Sequence, residues 1–153
     1  MKKYPEYINS DIAWIGNIPS HWKIKHLRSY LRMVSDKGHP NETLLSVTRE
    51  QGVIVRNVES KEENHNFIPD DLTNYKLVKV GQFAINKMKS WQGSYAVSKF
   101  QGIVSPAYYV CELNFPNKDF FSWAIRSKSY IPFFTQYSKG IRVDQWDLSP
   151  IAL

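Results

Sequence analysis

The chain has 153 residues, 42% hydrophobic and 14% aromatic, with 20 Lys+Arg against 14 Asp+Glu. Those figures exclude disorder, because a chain of ~150 residues this rich in apolar groups can remove roughly 70% of its unfolded surface from water. A single cysteine, Cys111, excludes an internal disulfide and a thiol-held metal, and no apolar window approaches the ~18 residues of a membrane span. Met1, Lys2 and Lys3 lead into Tyr4-Pro5-Glu6 rather than an apolar leader, so a soluble, cytoplasmic protein is expected.

In chain order, residues 1–21 read as an N-terminal arm. Its stretch 11–19 (DIAWIGNIP) mixes Ile and Trp with Gly16 and Pro19, which predicts packing without regular structure. Trp22-Lys23-Ile24-Lys25 alternates as a half-buried strand does, while Leu27, Tyr30, Leu31 and Val34 follow helical spacing, so this segment reads both ways. Residues 43–48 and 52–58 are β-branched runs joined across Arg49-Glu50-Gln51-Gly52, the pattern of a hairpin with Gly at its turn. The acidic residues 57–75 predict a surface loop.

Residues 75–88 and 95–113 carry strand-like runs around Gly81, Gly102 and Pro106, and are expected in one sheet. Asn117-Lys118-Asp119 offers helix-start chemistry, Pro132 should break or kink that helix, and a short turn ends near Gly140 before a last extended segment at 141–143. No internal repeat or linker interrupts this order. The predicted architecture is α+β: a single mixed domain over residues 1–153, with a central twisted β-sheet and flanking short helices.

Charge is unevenly placed. Residues 22–56 hold seven basic and three acidic side chains, residues 76–110 hold five lysines and no carboxylate, and residues 57–75 hold five acids and one lysine. With a net charge of +6 and a pI near 9.4, such blocks can build a basic face of the kind nucleic acid requires, though charge runs are also commonly solvated strand ends.

Candidates for chemistry are poor. His21, His26, His39 and His65 stand in four polar contexts with no pair at metal-ligand spacing, and Cys111 lies inside an apolar strand pattern that reads as buried. No Gly-rich phosphate cradle occurs, so neither ATP nor a dinucleotide is implied. The nearest approach to nuclease carboxylates, Asp36 with Glu59-Ser60-Lys61, belongs partly to a charged run that reads as a solvated loop. No catalytic or metal-binding residue is assigned.

The informative stretch is residues 86–110, NKMKSWQGSYAVSKFQGIVSPAYYV, which sets Lys87, Lys89, Trp91 and Gln92 in a short polar interval between strand runs. Lysine can neutralise phosphate or reach guanine, glutamine can pair two ways with adenine, and serine can meet either. Trp91 reads rather as core, and Gln92 also reads as a turn residue. This stretch, the opening YPEYINSDIAWIGNIPSHWKIKHL and the close GIRVDQWDLSPI resemble the target-recognition domain of the specificity subunit of type I restriction-modification enzymes. The matching residues are Tyr4-Pro5, Trp14-Ile15-Gly16, Ile18-Pro19, His21-Trp22 and the Gly-Ile-Val-Ser-Pro-Ala-Tyr at 102–108.

The resemblance implies a non-catalytic protein with DNA-facing loops that reads one half of a bipartite site on double-stranded DNA. It implies methyltransferase and restriction subunits as partners, and a second recognition half. S-adenosylmethionine, ATP and magnesium would belong to those partners, and this chain would carry no cofactor. The connecting coiled-coil helix that the resemblance leads one to expect after residue 150 is absent from the sequence, so a fragment, a truncated gene product or a single-domain half that needs a second chain is expected. By side-chain chemistry and loop position, base readers are expected among Lys87, Lys89, Ser90, Gln92, Arg49, Gln51, Arg142 and Gln145. Phosphate anchors are expected among Lys76, Lys79, Lys99, Arg28 and Arg32. The alternative reading is a stand-alone nuclease or hydrolase on a related recognition fold.

Overall fold

Phe83, Ala84 and Ile85 are all fully buried, which an antiparallel strand tolerates only when both faces of its sheet are covered. They belong to β7 (Phe83–Asn86), an inner strand of a four-stranded antiparallel sheet in the order β3 (Leu31–Val34), β10 (Tyr108–Leu113), β7, β8 (Tyr95–Val97). The computed structural model describes residues 3–57, 68–142 and 145–148.

On one face of that sheet, Phe83, Ile85, Tyr95, Cys111 and Leu113 meet the helices α1 (Lys118–Ile125) and α2 (Ile131–Gln136) through Phe121, Ile125 and Phe134. Aromatic contacts dominate this layer: Phe83 and Phe121 meet edge to face at 5.4 Å, and Tyr95 and Phe134 meet at a tilt with centroids 4.5 Å apart. On the other face, Ala84, Ala96, Tyr108 and Val110 pack against β4 (Leu45–Thr48), β5 (Gly52–Val55), β6 (Lys76–Val78) and β9 (Gly102–Val104). The alternation of these residues along β7, β8 and β10 is the period-two rule of a strand read on both sides. The fold is thus mixed α+β, with a central sheet and short flanking helices.

The hairpin expected around Gly52 is present as β4 and β5, with Thr48 opposite Gly52 and Gly52 at φ +76°. Asn117 caps α1, its side-chain oxygen accepting from the Phe120 amide at 2.9 Å. Four expectations need correction. The arm is regular in part, since β1 (Tyr7–Asn9) and β2 (Asn17–Pro19) pair antiparallel and Asp11 takes φ 58° in the connection. Residues 22–26 form no strand, and the helical spacing that follows yields a 3-10 turn at Leu27–Ser29 and then β3. Here the outer edge of β10 wins: its pairing with β3 adds a ladder that a helix could not make.

Strands 75–113 do not share one sheet. Gly81 at φ +83° turns the chain between β6 and β7, and the Ser98 hydroxyl closes a tight turn on Phe100 after β8, so β6 and β9 pair with each other in a separate layer. Finally, Pro132 initiates rather than breaks a helix: α1 has already ended at Ile125, and Pro132 sits in the first turn of α2, where its missing N–H costs nothing. The last strands, β11 (Ser138–Arg142) and β12 (Gln145–Leu148), form a hairpin. The acidic surface loop falls mainly on residues 58–67, outside the described residues, as does His65. No helix among the described residues is long and apolar enough to cross a membrane.

Candidate nucleic-acid interface

The loop that leaves β7 is held by its own backbone. The Asn86 side chain accepts from the Met88 amide at 3.1 Å, and the Asn86 carbonyl accepts from Lys89 N at 3.2 Å. A 3-10 turn at Ser90–Gln92 follows and is closed by Gly93 in the left-handed region at φ 92°. Gly93 and Ser94 return their amides to Ser90 and Lys89 at 2.9 and 3.2 Å. This folding leaves Lys89 exposed and Gln92 half-buried at the surface. It also turns Trp91 back, its indole N–H donating to the Met88 carbonyl at 3.2 Å.

A second loop lies beside it. The β4–β5 turn carries Arg49, Glu50 and Gln51 exposed, and Thr48 Oγ1 accepts from the Gln51 amide at 3.1 Å. Arg126, just past the end of α1, donates from Nη2 to the carbonyls of Arg49 and Glu50 at 2.7 and 2.8 Å. These charge-assisted bonds tie a surface turn to the helical layer. A Cβ built on Gly93 would stand 3.9 Å from Arg49 Cγ, so the two loops are neighbours. Arg49, Gln51, Lys89 and Gln92 therefore share one end of the central sheet, the Asn86–Tyr108 end.

Other expected residues sit differently. Ser90 is fully buried, its hydroxyl donating to the Lys87 carbonyl at 3.3 Å and standing 3.5 Å from Ser138 Oγ, so it cannot reach a base. The Lys87 ammonium is folded back over the Tyr109 ring, 5.3 Å from the centroid. Arg32 pairs with Glu112 across the β3–β10 ladder, so its charge is already matched. Lys76 is half-buried and donates to the Tyr108 carbonyl at 2.7 Å. Burial and the nearby charges of Lys87 and Lys37 hold its ammonium below the ordinary lysine value.

Arg28, Lys79 and Lys99 are exposed but lie toward the opposite end of the sheet. Arg28 precedes β3, whose first residue Leu31 faces Leu113, the last residue of β10. Lys79 and Lys99 flank the turns before β7 and after β8. Lys99 lines a shallow groove along α1 with Asp119, Ser122, Trp123, Arg126 and Ser127. The β11–β12 hairpin docks on the first loop by its open end, where Leu148 N donates to the Lys87 carbonyl at 3.0 Å. Its Arg142 and Gln145 end is three ladder steps away, roughly 10 Å at ~3.3 Å per residue. The side chains of Arg142 and Gln145 lie outside the described residues.

Two contributors escaped the sequence reading. Arg126 stands 77 residues from the turn that it clamps, a separation with no local signal. Lys37 sits in the first basic block but reaches the site only because Leu77 N donates to the Asp36 carbonyl at 2.7 Å, setting residues 36–37 beside β6. Among the described residues no three His, Cys, Asp or Glu side chains gather as a metal site, and Asp36 instead holds His39 at 2.8 Å. Residues 59–61, the rest of the nuclease-like set, lie outside the described residues. The chain matches no protein-family model and no curated protein.

Proposed function

We propose that this chain reads the sequence of double-stranded DNA as the target-recognition module of a restriction-modification complex, and leaves bond-making to methyltransferase and restriction subunits. The observation that carries the reading is the adjacency of two backbone-fixed loops, each presenting one cation and one amide: Arg49 with Gln51, and Lys89 with Gln92. A cation and an amide are the side-chain types that reach guanine O6/N7 and adenine N6/N7 in the major groove. Loops clamped by Arg126 and by the Gly93 turn meet a base edge without first losing conformational freedom, which favours discrimination. The resemblance of residues 4–27, 86–110 and 140–151 to specificity-subunit recognition domains supports the same reading.

The test selects the preferred duplex from a randomised pool and then compares variants on that duplex and on random DNA. Gln92→Ala should cost ~1–3 kcal/mol on the selected duplex and nothing on random DNA, whereas Lys99→Ala should weaken both alike or neither. Absence of any enriched motif, or equal losses on both duplexes for Gln92→Ala, refutes sequence reading through this loop. Incubation of duplex with magnesium should leave it intact; nicking that tracks the purified chain would favour the nuclease alternative.

A further inference from the structure

Two lysines from separate segments converge beside the ring of Tyr109, and a third, Lys37, comes close enough for its charge to act on one of them. Lys76 Nζ stands 6.0 Å and Lys87 Nζ 5.3 Å from its centroid, and Lys37 lies across the Leu77–Asp36 backbone bond from β6. The ring is itself fixed, its hydroxyl donating to the Leu148 carbonyl at 3.2 Å. Lys87 is set by its own backbone, whose amide donates to the Ala107 carbonyl at 3.0 Å.

Among the described residues, the arrangement gathers like charges without a matching anion. The charges acting on the Lys76 ammonium from Lys87 and Lys37 both oppose it. The group acting the other way is the Cys111 thiol, which burial pushes up to about 12 and which is therefore neutral at pH 7. The one carboxylate on the same segment as Lys37, that of Asp36, is engaged by His39 at 2.8 Å. Of the three N–H bonds on Lys76, one is directed to Tyr108 O at 2.7 Å, with a longer approach to Pro106 O at 3.5 Å, which leaves donor capacity. A group that brings negative charge and several acceptor oxygens would offset both the repulsion and the desolvation.

We propose that Lys37, Lys76 and Lys87 form a seat for one backbone phosphate of DNA against Tyr109, an assignment that rests on the DNA-binding reading above. Lys87 thereby changes role from base reader to anchor, and Lys37 joins the interface. The seat lies at the root of the loop that carries Lys89 and Gln92, so a phosphate held there would fix the register in which those two side chains meet the bases.

The experiment measures affinity of the whole chain for a random-sequence duplex by fluorescence anisotropy between 50 and 200 mM salt, in wild type, Lys37→Ala, Lys37→Arg and Lys87→Gln. Lys37 is exposed and makes no core contact, so its variants should fold as wild type does. Loss of one phosphate contact should make the slope of log affinity against log salt shallower by ~0.9. Over that fourfold salt range Lys37→Ala should thus lose about 3.5-fold less affinity than wild type, with Lys37→Arg restoring the slope.

A steep wild-type slope that neither Lys37→Ala nor Lys87→Gln changes overturns the phosphate seat while leaving DNA binding in place. If wild type binds no duplex, the DNA reading itself fails, and inorganic phosphate then decides the seat alone. In that arm, NMR signals of the Lys76 and Lys87 ammonium groups and of Tyr109 should shift with phosphate in wild type and not in Lys37→Ala. Signals that stay still in both proteins overturn the seat.

Discussion

Gly52→Ala isolates what holds the β4–β5 turn in place. The native φ of +76° costs an L residue ~1–2 kcal/mol by steric conflict alone. The new methyl would also stand 2.7 Å from Arg126 Nη1 and 2.9 Å from the Ala96 Cβ. Ala96 is 2% exposed on β8 and cannot retreat, so overlap there adds ~1–3 kcal/mol. Arg126 can swing away, but it then gives up its bonds to the Arg49 and Glu50 carbonyls; at an exposed site these two together contribute about 1–2 kcal/mol. The expected loss is about 3–7 kcal/mol, a large part of the ~5–15 kcal/mol that holds a domain together. Urea denaturation followed by circular dichroism reads it directly. Arg126→Ala should cost about 1–2 kcal/mol, and the double variant should fall short of the sum because both changes break the same pair of bonds. A Gly52→Ala protein within ~0.5 kcal/mol of wild type, or strict additivity in the double variant, would refute the clamp.

Two further outcomes follow from the central layer. Tyr95 is fully buried and its hydroxyl has no hydrogen-bond partner among the described residues, so Tyr95→Phe should raise stability by ~1 kcal/mol, read as a higher urea midpoint; a loss of that size would point to a bond the hydroxyl does make. Burial pushes the Cys111 thiol from an ordinary 9.0 up to about 12, so the folded protein should resist iodoacetamide at pH 8 and react once unfolded in urea. The sign of the pH effect is fixed by the same shift. Above pH 9 the unfolded thiol ionises and the folded one does not, so the stability it confers is complete below pH 9 and fades as pH rises towards 12. The urea midpoint of wild type relative to Cys111→Ala should fall over that interval, and parallel curves would remove Cys111 as the cause.

What the sequence made legible were features decided within a few residues. The β4–β5 hairpin follows from β-branched runs around a turn that needs Gly52, and the start of α1 follows from an Asn whose oxygen caps an amide three residues on. Buried Cys111 followed from its apolar neighbours. Features decided at long range were illegible. Leu27, Tyr30, Leu31 and Val34 keep helical spacing, yet the outer edge of β10 draws residues 31–34 into a ladder in which Arg32 meets Glu112. The arm at 11–19 gave no alternation because Tyr7 and Ile8 on β1 are about half exposed, at 48% and 47%, so its pairing leaves no apolar stripe to detect. In the candidate site, the two loops could be found from polar residues between strands, but not which side chains turn inward. Ser90 and Lys89 are adjacent and chemically plausible alike; a single 3-10 turn buries the first and exposes the second.

The ends of the central sheet sort the remaining cations on the DNA-binding reading. β7 has four residues, and its three steps of ~3.3 Å set its two ends about 10 Å apart. The major groove is ~12 Å wide and 8.5 Å deep, so a loop inserted from the Asn86 end leaves the Phe83 end clear of the bases and beyond the phosphates at the groove edge. Lys79 and Arg28, near that far end, then face solvent, and their charges act only through the general field, which salt screens over ~8–10 Å. The phosphate contacts must come from the end that carries the readers. There the sequence supplies Lys37, Lys76, Lys87, Arg49 and Lys89 from four separated segments, offset within the turn by Glu50 alone. Concentrating cations at one end of a sheet destabilises the free protein by mutual repulsion, and it is the end of the fold at which a polyanion would remove that cost.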